Sequence, residues 1–261
     1  MAIERIVPGT KEWDEYYANH ICRYLFAKKC IEQWGGQNIL DAACGVGYGS
    51  SYLAKNENLT VSAIDRSLDA LKIANEQFAN TNTIFIEDDC HTFAAAAALG
   101  PFDTIVSFET LEHLPKPELF LKNCFNNIKS AGKLIVSTPN QLVSSPDGNL
   151  NWEYHEKEYA PEELVELLSA AGFTEIKLYG QQMTSMGIFR NQIRAELNKI
   201  NSNPFMRLGR KIQKLLKLYK FPAILPEQAE DFEIKLYDSC EEILKQGVNG
   251  PFVLIATCDK P

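Results

Sequence analysis

Apolar residues follow two different spacings from residue 38 onward. Short runs rich in β-branched and other apolar residues alternate with longer stretches of helical spacing. That alternation is typical of βαβ units and of a parallel sheet covered by helices on both faces. The pattern predicts strands at 38–42, 60–64, 83–86, 104–107, 133–137, 175–179 and 252–257, and helices near 48–55, 67–79, 116–129 and 161–171.

Two segments lie outside this alternation. A helical stretch at 12–34 carries Trp13 and several tyrosines, and we expect it either to pack across the mouth of the site or simply to cover the sheet. The last two predicted strands are separated by a connection far longer than a hairpin loop. The predicted organisation is an N-terminal helical cover at 1–37, a core at 38–180 and 251–261, and a helical cap insertion at 181–250.

The insertion contains the segment FMRLGRKIQKLLKLYK at 205–220. Its leucines and isoleucine fall on one helical face, whereas its lysines and arginines fall largely on another. Two interpretations stay open: a lid helix with a solvated basic face, or a surface that attracts an anionic substrate or a membrane interface. We expect the insertion as a whole to form a mainly helical cap over the carboxyl edge of the sheet and to help build the substrate pocket.

Composition narrows the class of protein. With 261 residues, 45% hydrophobic and 23% charged, the chain is globular, and its net charge of -8 argues against whole-surface attraction to nucleic acid. The amino terminus lacks the apolar stretch of a secretory signal, and no apolar run approaches the roughly 20 residues of a membrane span. Seven cysteines without a C-x-x-C pair favour the cytoplasm. The four dispersed histidines give no zinc motif by local spacing, so no metal is predicted.

The central motif is NILDAACGVGYGSSYLA at 38–54, where an apolar strand turns through glycines into a helix. Glycine lets the backbone approach a ligand and accepts positive φ. Because Gly49 stands one position too early, Gly45 and Gly47 do not open the G-x-G-x-x-G of a dinucleotide site. Asp65 ends the next strand at the distance where a carboxylate can accept both ribose hydroxyls; its alternative role is a helix cap before Ser67.

In this order the motifs resemble the class I S-adenosylmethionine-dependent methyltransferases, over residues 20–180. In that family the glycine turn holds the methionine portion, the acid after the second strand holds the ribose, and an acid after the third contacts the adenine amino group. Asp88 and Asp89 compete for the last role because they adjoin. The resemblance implies S-adenosylmethionine as cofactor, S-adenosylhomocysteine as product, and cofactor contacts from Asp41, Ala43, Gly45, Gly47, Asp65, Arg66, Asp88, Asp89, Cys90 and Phe108.

A closer resemblance rests on HICRYLFAKKCI (20–31), CGVGYGSSYLA, VSFETLEHL (106–114), VSTPN (136–140) and EYHEKEYAPEEL (153–164). Together they are similar to a bacterial methyltransferase subfamily associated with glycosyltransferases and with polysaccharide or glycoside biosynthesis. Val46 departs from it, since relatives frequently carry an acid there. The implied fold is a Rossmann-like doubly wound α/β sheet of seven strands, mostly parallel with an antiparallel last strand.

Candidate catalytic residues follow the fourth and fifth predicted strands, at the carboxyl edge where open α/β sheets bind ligands. If the segment after Phe108 turns helically, Glu109 and His113 share a face. His113 is either a general base or a histidine bonded to its loop, and His155 is either a second base or an exposed loop residue. The catalytic candidates are Glu109, His113 and His155, and the acceptor-pocket candidates are Tyr16, Tyr17, His20, Arg23 and Asn140.

The expected reaction is methyl transfer to a hydroxyl of a sugar, glycoside or related small metabolite. An amine acceptor needs the same scaffold, and a catalytically silent partner protein that kept the fold is a further alternative. The glycine spacing disfavours an NAD-dependent oxidoreductase. The acidic balance and the absence of an N/D-P-P-Y/F motif disfavour a nucleic-acid methyltransferase.

Overall fold

The computed structural model describes residues 6–202 and 227–261 and places them in one α/β sheet with helices on both faces. The predicted helix at 205–220 lies outside the described residues. The strands are β1 Asn38–Ala42, β2 Thr60–Asp65, β3 Thr83–Glu87, β4 Phe102–Phe108, β5 Ile128–Pro139, β6 Thr174–Met183, β7 Phe232–Tyr237 and β8 Val253–Asp259. The helices are α1 Lys11–Trp34, α2 Tyr48–Leu53, α3 Leu68–Gln77, α4 Pro117–Asn127, α5 Gln141–Ser144, α6 Pro161–Ala170, α7 Ser185–Ser202 and α8 Cys240–Leu244.

The strand order is β3-β2-β1-β4-β5-β8-β6-β7. Strands β1 to β5 pair in parallel, whereas β8 runs antiparallel between β5 and β6, which confirms the predicted Rossmann-like sheet with an antiparallel last strand. The predicted count of seven strands is wrong, because the described part of the chain forms eight. The additional strand, β7, lies within the predicted helical insertion and pairs with β6 at the edge of the sheet.

Strands β1, β2, β4 and β8 are buried on both faces, since successive side chains point to opposite sides and nearly all are buried, whereas β3, β6 and β7 carry exposed residues. Leu40 of β1 joins a cluster with Phe120 of α4 and Leu164 of α6. Its neighbour Ile39 joins the cluster on the other face with Ile31 of α1. The amino-terminal segment is thus part of the core packing.

Helix α1 has well-defined ends. The Thr10 hydroxyl accepts a hydrogen bond from the Trp13 N–H over 3.2 Å, and Gly35 ends the helix in the left-handed conformation with φ 81°. None of the described helices is both long and apolar enough to span a membrane. The strand order reverses between β1 and β4, and their carboxyl ends open the crevice in which such sheets bind ligands.

Candidate cofactor and catalytic site

The turn after β1 has three positive φ angles, 65° at Ala43, 57° at Gly45 and 84° at Gly47. The two glycines serve different purposes. A Cβ at Gly45 would point into open space, which fits a close ligand approach, whereas a Cβ at Gly47 would lie 2.6 Å from the Phe85 ring and 2.8 Å from Ala74. At Gly47, packing against β3 and α3 therefore excludes a side chain, a constraint that the glycine spacing alone does not reveal.

Asp65 holds this turn to the next helix. Its Oδ2 accepts the Gly45 N–H over 2.9 Å, and its Oδ1 accepts the Ser67 N–H over 2.8 Å. The cap of α3 is Ser67, whose hydroxyl accepts the Ala70 N–H over 3.3 Å. Asp65 is only 5% exposed, but it lines the cleft. Its two hydrogen bonds to the backbone therefore fix the orientation of its carboxylate on the cleft wall.

The two adjacent acids after β3 differ in their surroundings. Asp88 is buried, and its carboxylate accepts four backbone N–H groups, from Asp89, Ala94, Ala95 and Ala96, over 2.8 to 3.0 Å. The Asp89 side chain is 55% exposed and accepts the His91 N–H over 2.7 Å, and this hydrogen bond is the main cause that holds the pKa of Asp89 below its ordinary value. Asp88 therefore shapes the loop, while Asp89 remains accessible to a ligand.

A cleft of about 690 Å³, partly open to solvent, lies between these residues and the loop after β4. It brings together eight of the predicted cofactor and catalytic residues. Burial raises the pKa of Cys90 to about 12, so the thiol on the cleft wall stays neutral. The wall consists of Ala43, Asp65, Arg66, Asp88, Asp89, Cys90, Glu109 and His113 from the predicted set, together with His91, Thr110 and Leu114.

Asp41 is fully buried at the end of β1. Its Oδ2 accepts the Ser50 hydroxyl over 2.6 Å and the Tyr24 hydroxyl over 3.2 Å. Burial raises the pKa of Asp41 to about 7 against the opposing effect of these hydrogen bonds. The Tyr24 ring packs edge-on against Phe108 with a centroid distance of 4.9 Å. A Cβ at Gly49 would lie 2.0 Å from the Tyr24 ring, so only glycine fits there. Tyr24 joins α1 to the glycine turn, a role that its place among several helix aromatics did not reveal.

Arg23 is buried, with 1% of its surface exposed. Its Nη1 donates to Asn19 Oδ1 over 2.9 Å and to Gln181 Oε1 over 2.8 Å. Its Nε and Nη2 have no hydrogen-bond partner among the described residues, and Glu109 Oε2 lies 3.7 Å from Nη2. Buried guanidinium N–H groups that lack a hydrogen-bond partner suit a carboxylate ligand.

Glu109 and His113 stand on the cleft wall after β4. Glu109 has φ 52°, and its Oε1 accepts the Ser137 hydroxyl over 2.7 Å. The chain then forms a 3-10 turn at Leu111–His113 only, so Glu109 lies outside it and the helical turn considered for residues 109–113 does not form. His113 Nδ1 lies 3.0 Å from the Tyr154 carbonyl oxygen, and its ring centroid is 4.9 Å from that of His155.

His155 is behind His113 and outside the residues that line the cleft. Its Nδ1 lies 2.7 Å from Glu158 Oε1, and the other oxygen of Glu158 accepts the hydroxyls of Ser144 and Ser145. Burial acts to raise the pKa of Glu158, but these hydrogen bonds outweigh it and hold the pKa below its ordinary value. Glu158, spaced three residues from His155, was not among the predicted site residues.

Glu112 is fully buried beside this pair. Its Oε2 accepts the Thr138 hydroxyl over 3.0 Å, whereas its Oε1 has no hydrogen-bond partner among the described residues and lies 3.8 Å from His113 Nε2. Burial, assisted by the negative charge of Glu109, raises the pKa of Glu112 well above its ordinary value.

The remaining predicted acceptor-pocket residues are dispersed. Tyr16 is exposed on α1, and Tyr17 stacks on Trp13 with a centroid distance of 4.2 Å. Burial and the nearby charge of Arg23 lower the pKa of His20 well below its ordinary value. Asn140 is fully buried, donates to the Pro251 carbonyl over 2.7 Å and caps α5, so both ends of its amide serve the backbone.

These residues fit S-adenosylmethionine. The open side of Gly45 admits a ligand, Asp65 and Asp89 present carboxylates to hydroxyl and amino groups, and Arg23, although 3.7 Å from Glu109, keeps two buried donors without a hydrogen bond that suit a carboxylate. Bound there, the cofactor supplies a methyl group activated by the positive charge of its sulfur.

Comparison with known proteins gives the same assignment. Residues 12–178 match a family model described as a methyltransferase domain. A probable S-adenosylmethionine-dependent methyltransferase of Mycolicibacterium smegmatis is 30% identical over 75% of this chain and 70% of its own length. A ubiquinone biosynthesis O-methyltransferase of Vibrio parahaemolyticus is 28% identical over 56% of this chain and 67% of its own.

A solved structure supports the fold. The phosphoethanolamine N-methyltransferase 2 of Haemonchus contortus, in complex with S-adenosyl-L-methionine, matches 95% of this chain and 56% of its own with a TM-score of 0.54 and 16% sequence identity. The glycine turn, the carboxylates of the cleft, the match over 12–178 and the relative at 30% identity agree. The chain therefore belongs to the methyltransferase-domain family and is an S-adenosylmethionine-dependent methyltransferase.

Proposed function

We propose that the protein transfers the methyl group to a hydroxyl of a sugar, glycoside or related small metabolite. The observation that carries this proposal is the placement of His113 on the cleft wall beside Glu109, with His155 and Glu158 behind it. A hydroxyl must lose a proton to become a good nucleophile, and imidazole is the side chain suited to accept it near neutral pH. The O-methyltransferase name of the Vibrio relative also supports a hydroxyl acceptor.

In this proposal, different residues bind the cofactor and activate the acceptor. Asp65, Asp89 and Arg23 would hold and orient the cofactor, and Glu109 and His113 stand on the wall that would face the acceptor. The cofactor would supply a methyl group on a positively charged sulfur, which becomes a neutral thioether once the methyl has left, and His113 would accept the proton of the acceptor hydroxyl. Alignment of the reacting atoms supplies much of the acceleration, and the base adds to it.

Beyond the site, the proposal covers the cellular context and the insertion. The quoted motifs support membership of the subfamily associated with glycosyltransferases, and the reduced cysteines suit the cytoplasm. Residues 181–250 help build the acceptor side. In support, Arg190 and Arg194 of α7 pair with Asp231 over 2.7 and 3.4 Å, and the 3-10 turn that contains Asp231 packs on α1.

The insertion is tested by replacing residues 203–226 with a glycine–serine linker, which leaves β7 in place. Retained cofactor binding with lost methyl transfer is expected. Full activity of the shortened protein would contradict a part for these residues in catalysis.

The acceptor is tested by incubating the enzyme with S-adenosylmethionine and separate panels of sugars, glycosides, phenols and amines, and by following methylated products by mass spectrometry. A hydroxyl product is expected, and transfer confined to amines would contradict it. His113→Ala or His155→Ala should lower turnover about 10²-fold or more with little change in cofactor affinity. Near-normal turnover in both variants and in the double variant would mean that alignment alone suffices.

A further inference from the structure

We propose that Glu112, His113 and His155 form a binding site for one divalent first-row transition-metal ion, such as Zn²⁺, Co²⁺ or Mn²⁺. One ligand atom from each residue lies within 4.8 Å of the others. The three residues come from two loops, after β4 and after α5, so the site is assembled by the fold and has no local sequence motif. This proposal departs from the sequence analysis, which predicted no metal.

The first support is the buried carboxylate. Glu112 is 0% exposed, and its Oε1 has no hydrogen-bond partner among residues 6–202 and 227–261. A buried carboxylate oxygen in that state costs free energy unless something satisfies it. It points toward His113 Nε2, 3.8 Å away, while Oε2 is fixed by the Thr138 hydroxyl. A cation between Oε1 and the imidazoles supplies what Oε1 lacks.

The second support is how the two imidazoles are held. His113 Nδ1 faces the Tyr154 carbonyl oxygen at 3.0 Å, and His155 Nδ1 faces the Glu158 carboxylate at 2.7 Å. Both partners accept hydrogen bonds, so each favours the tautomer with the proton on Nδ1 and the lone pair on Nε2. Metal-binding histidines are commonly fixed in this way, by a carbonyl or a carboxylate on the other ring nitrogen.

The distances suit an ion of this class after a small contraction. Ligand atoms about 2.1 Å from one ion lie about 3.4 Å apart at the tetrahedral angle. The separation of 3.8 Å between Glu112 Oε1 and His113 Nε2 needs to close by a few tenths of an ångström, and no separation within the set exceeds 4.8 Å. Two imidazoles with one carboxylate favour transition metals over Mg²⁺, which prefers oxygen ligands. Three protein ligands also leave a position open, as in catalytic sites.

The open position gives the ion a role that rests on the proposed function. His113 lines the cleft, so an ion on it faces the acceptor and can take an acceptor hydroxyl as a further ligand. Coordination lowers the pKa of that hydroxyl, so in the metal-loaded protein the ion replaces His113 as the group that activates the acceptor, and the hydroxyl proton leaves to solvent. Acceptors with two neighbouring oxygens would bind best.

The test measures metal binding alone, with neither cofactor nor acceptor present. Protein stripped with a chelator is titrated with Co²⁺, followed by its visible absorption, and with Zn²⁺ in competition with a chromophoric chelator. One ion per chain is expected. Glu112→Gln, which keeps the side-chain volume, and His155→Ala should each weaken binding at least 100-fold. Glu158→Gln should weaken it about 10- to 100-fold by loosening His155. His91→Gln removes a histidine outside the set and should leave metal affinity unchanged.

Absence of saturable binding by the parent protein would overturn the proposal, as would unchanged affinity in folded His155→Ala or Glu112→Gln, with folding checked by circular dichroism. Either result leaves the hydroxyl acceptor standing. Conversely, tight binding of one ion by a protein that methylates only amines would retain the metal site and refute the proposed function.

Discussion

The two adjacent acids after β3 should respond differently to the same substitution, Asp88→Ala or Asp89→Ala. Removing the Asp88 carboxylate leaves four backbone N–H groups without their acceptor. At about 1 kcal/mol each, the lower end of the range for such donors, the loss is about 4 kcal/mol of unfolding free energy. The Asp89 side chain is more than half exposed, and its removal should cost only about 0.5 kcal/mol.

Cofactor affinity should depend on Asp89, although the stability of the fold depends mainly on Asp88. Asp89→Ala removes a charged acceptor at the cleft and should weaken S-adenosylmethionine binding about tenfold, since such a hydrogen bond contributes roughly 1.5–3 kcal/mol. Urea denaturation gives the stability of both variants, and isothermal titration calorimetry gives their affinity. If Asp88→Ala is as stable as the parent, or if Asp89→Ala binds the cofactor normally, the division of roles between the two acids is refuted.

Two further predictions concern neighbouring carboxylates. Asp65→Ala should weaken cofactor binding at least tenfold, because the charged acceptor for two ribose hydroxyls is lost, while the exposed Asp69→Ala on the next helix should bind normally; equal affinities in calorimetry would remove Asp65 from the site. Burial raises the pKa of Asp41 from 3.8 to about 7, so the folded state binds this proton more tightly than the unfolded chain, and the contribution of Asp41 to stability falls as pH rises from about 4 to about 7. Asp41→Asn should remove that component of the pH slope in urea denaturation, and an unchanged slope would contradict the assignment.

Residues next in sequence to a strand end were the predictable part of the site. Asp65 ends β2, Asp89 and Glu109 follow β3 and β4, and parallel pairing brings these strand ends to one edge of the sheet. The alternation of strands and helices predicted the sheet itself, whereas its antiparallel last strand was implied by the family resemblance. What decides between Asp88 and Asp89, however, is the course of the backbone at 94–96, which no local pattern specifies.

Contacts made across the fold were not predictable. Asn140 follows β5 just as Glu109 follows β4. Its amide, however, donates a hydrogen bond to the Pro251 carbonyl in the loop before β8, and the position of Asn140 in the sequence does not indicate this structural role. The set of Glu112, His113 and His155 depends on a loop that returns to β4. Strand β7 was missed because its six residues, only partly buried, lie in a segment that otherwise had helical spacing, and pairing with β6 decides its conformation.

The most direct test of the whole account is a crystal structure of the protein with S-adenosylhomocysteine. The account predicts the ligand in the cleft at the ends of β1 to β4, with its ribose hydroxyls within hydrogen-bond distance of Asp65, its adenine edge at Asp89 and Cys90, and its sulfur facing the wall that carries Glu109 and His113. A ligand bound elsewhere, or a ribose held by a different acid, would contradict the account.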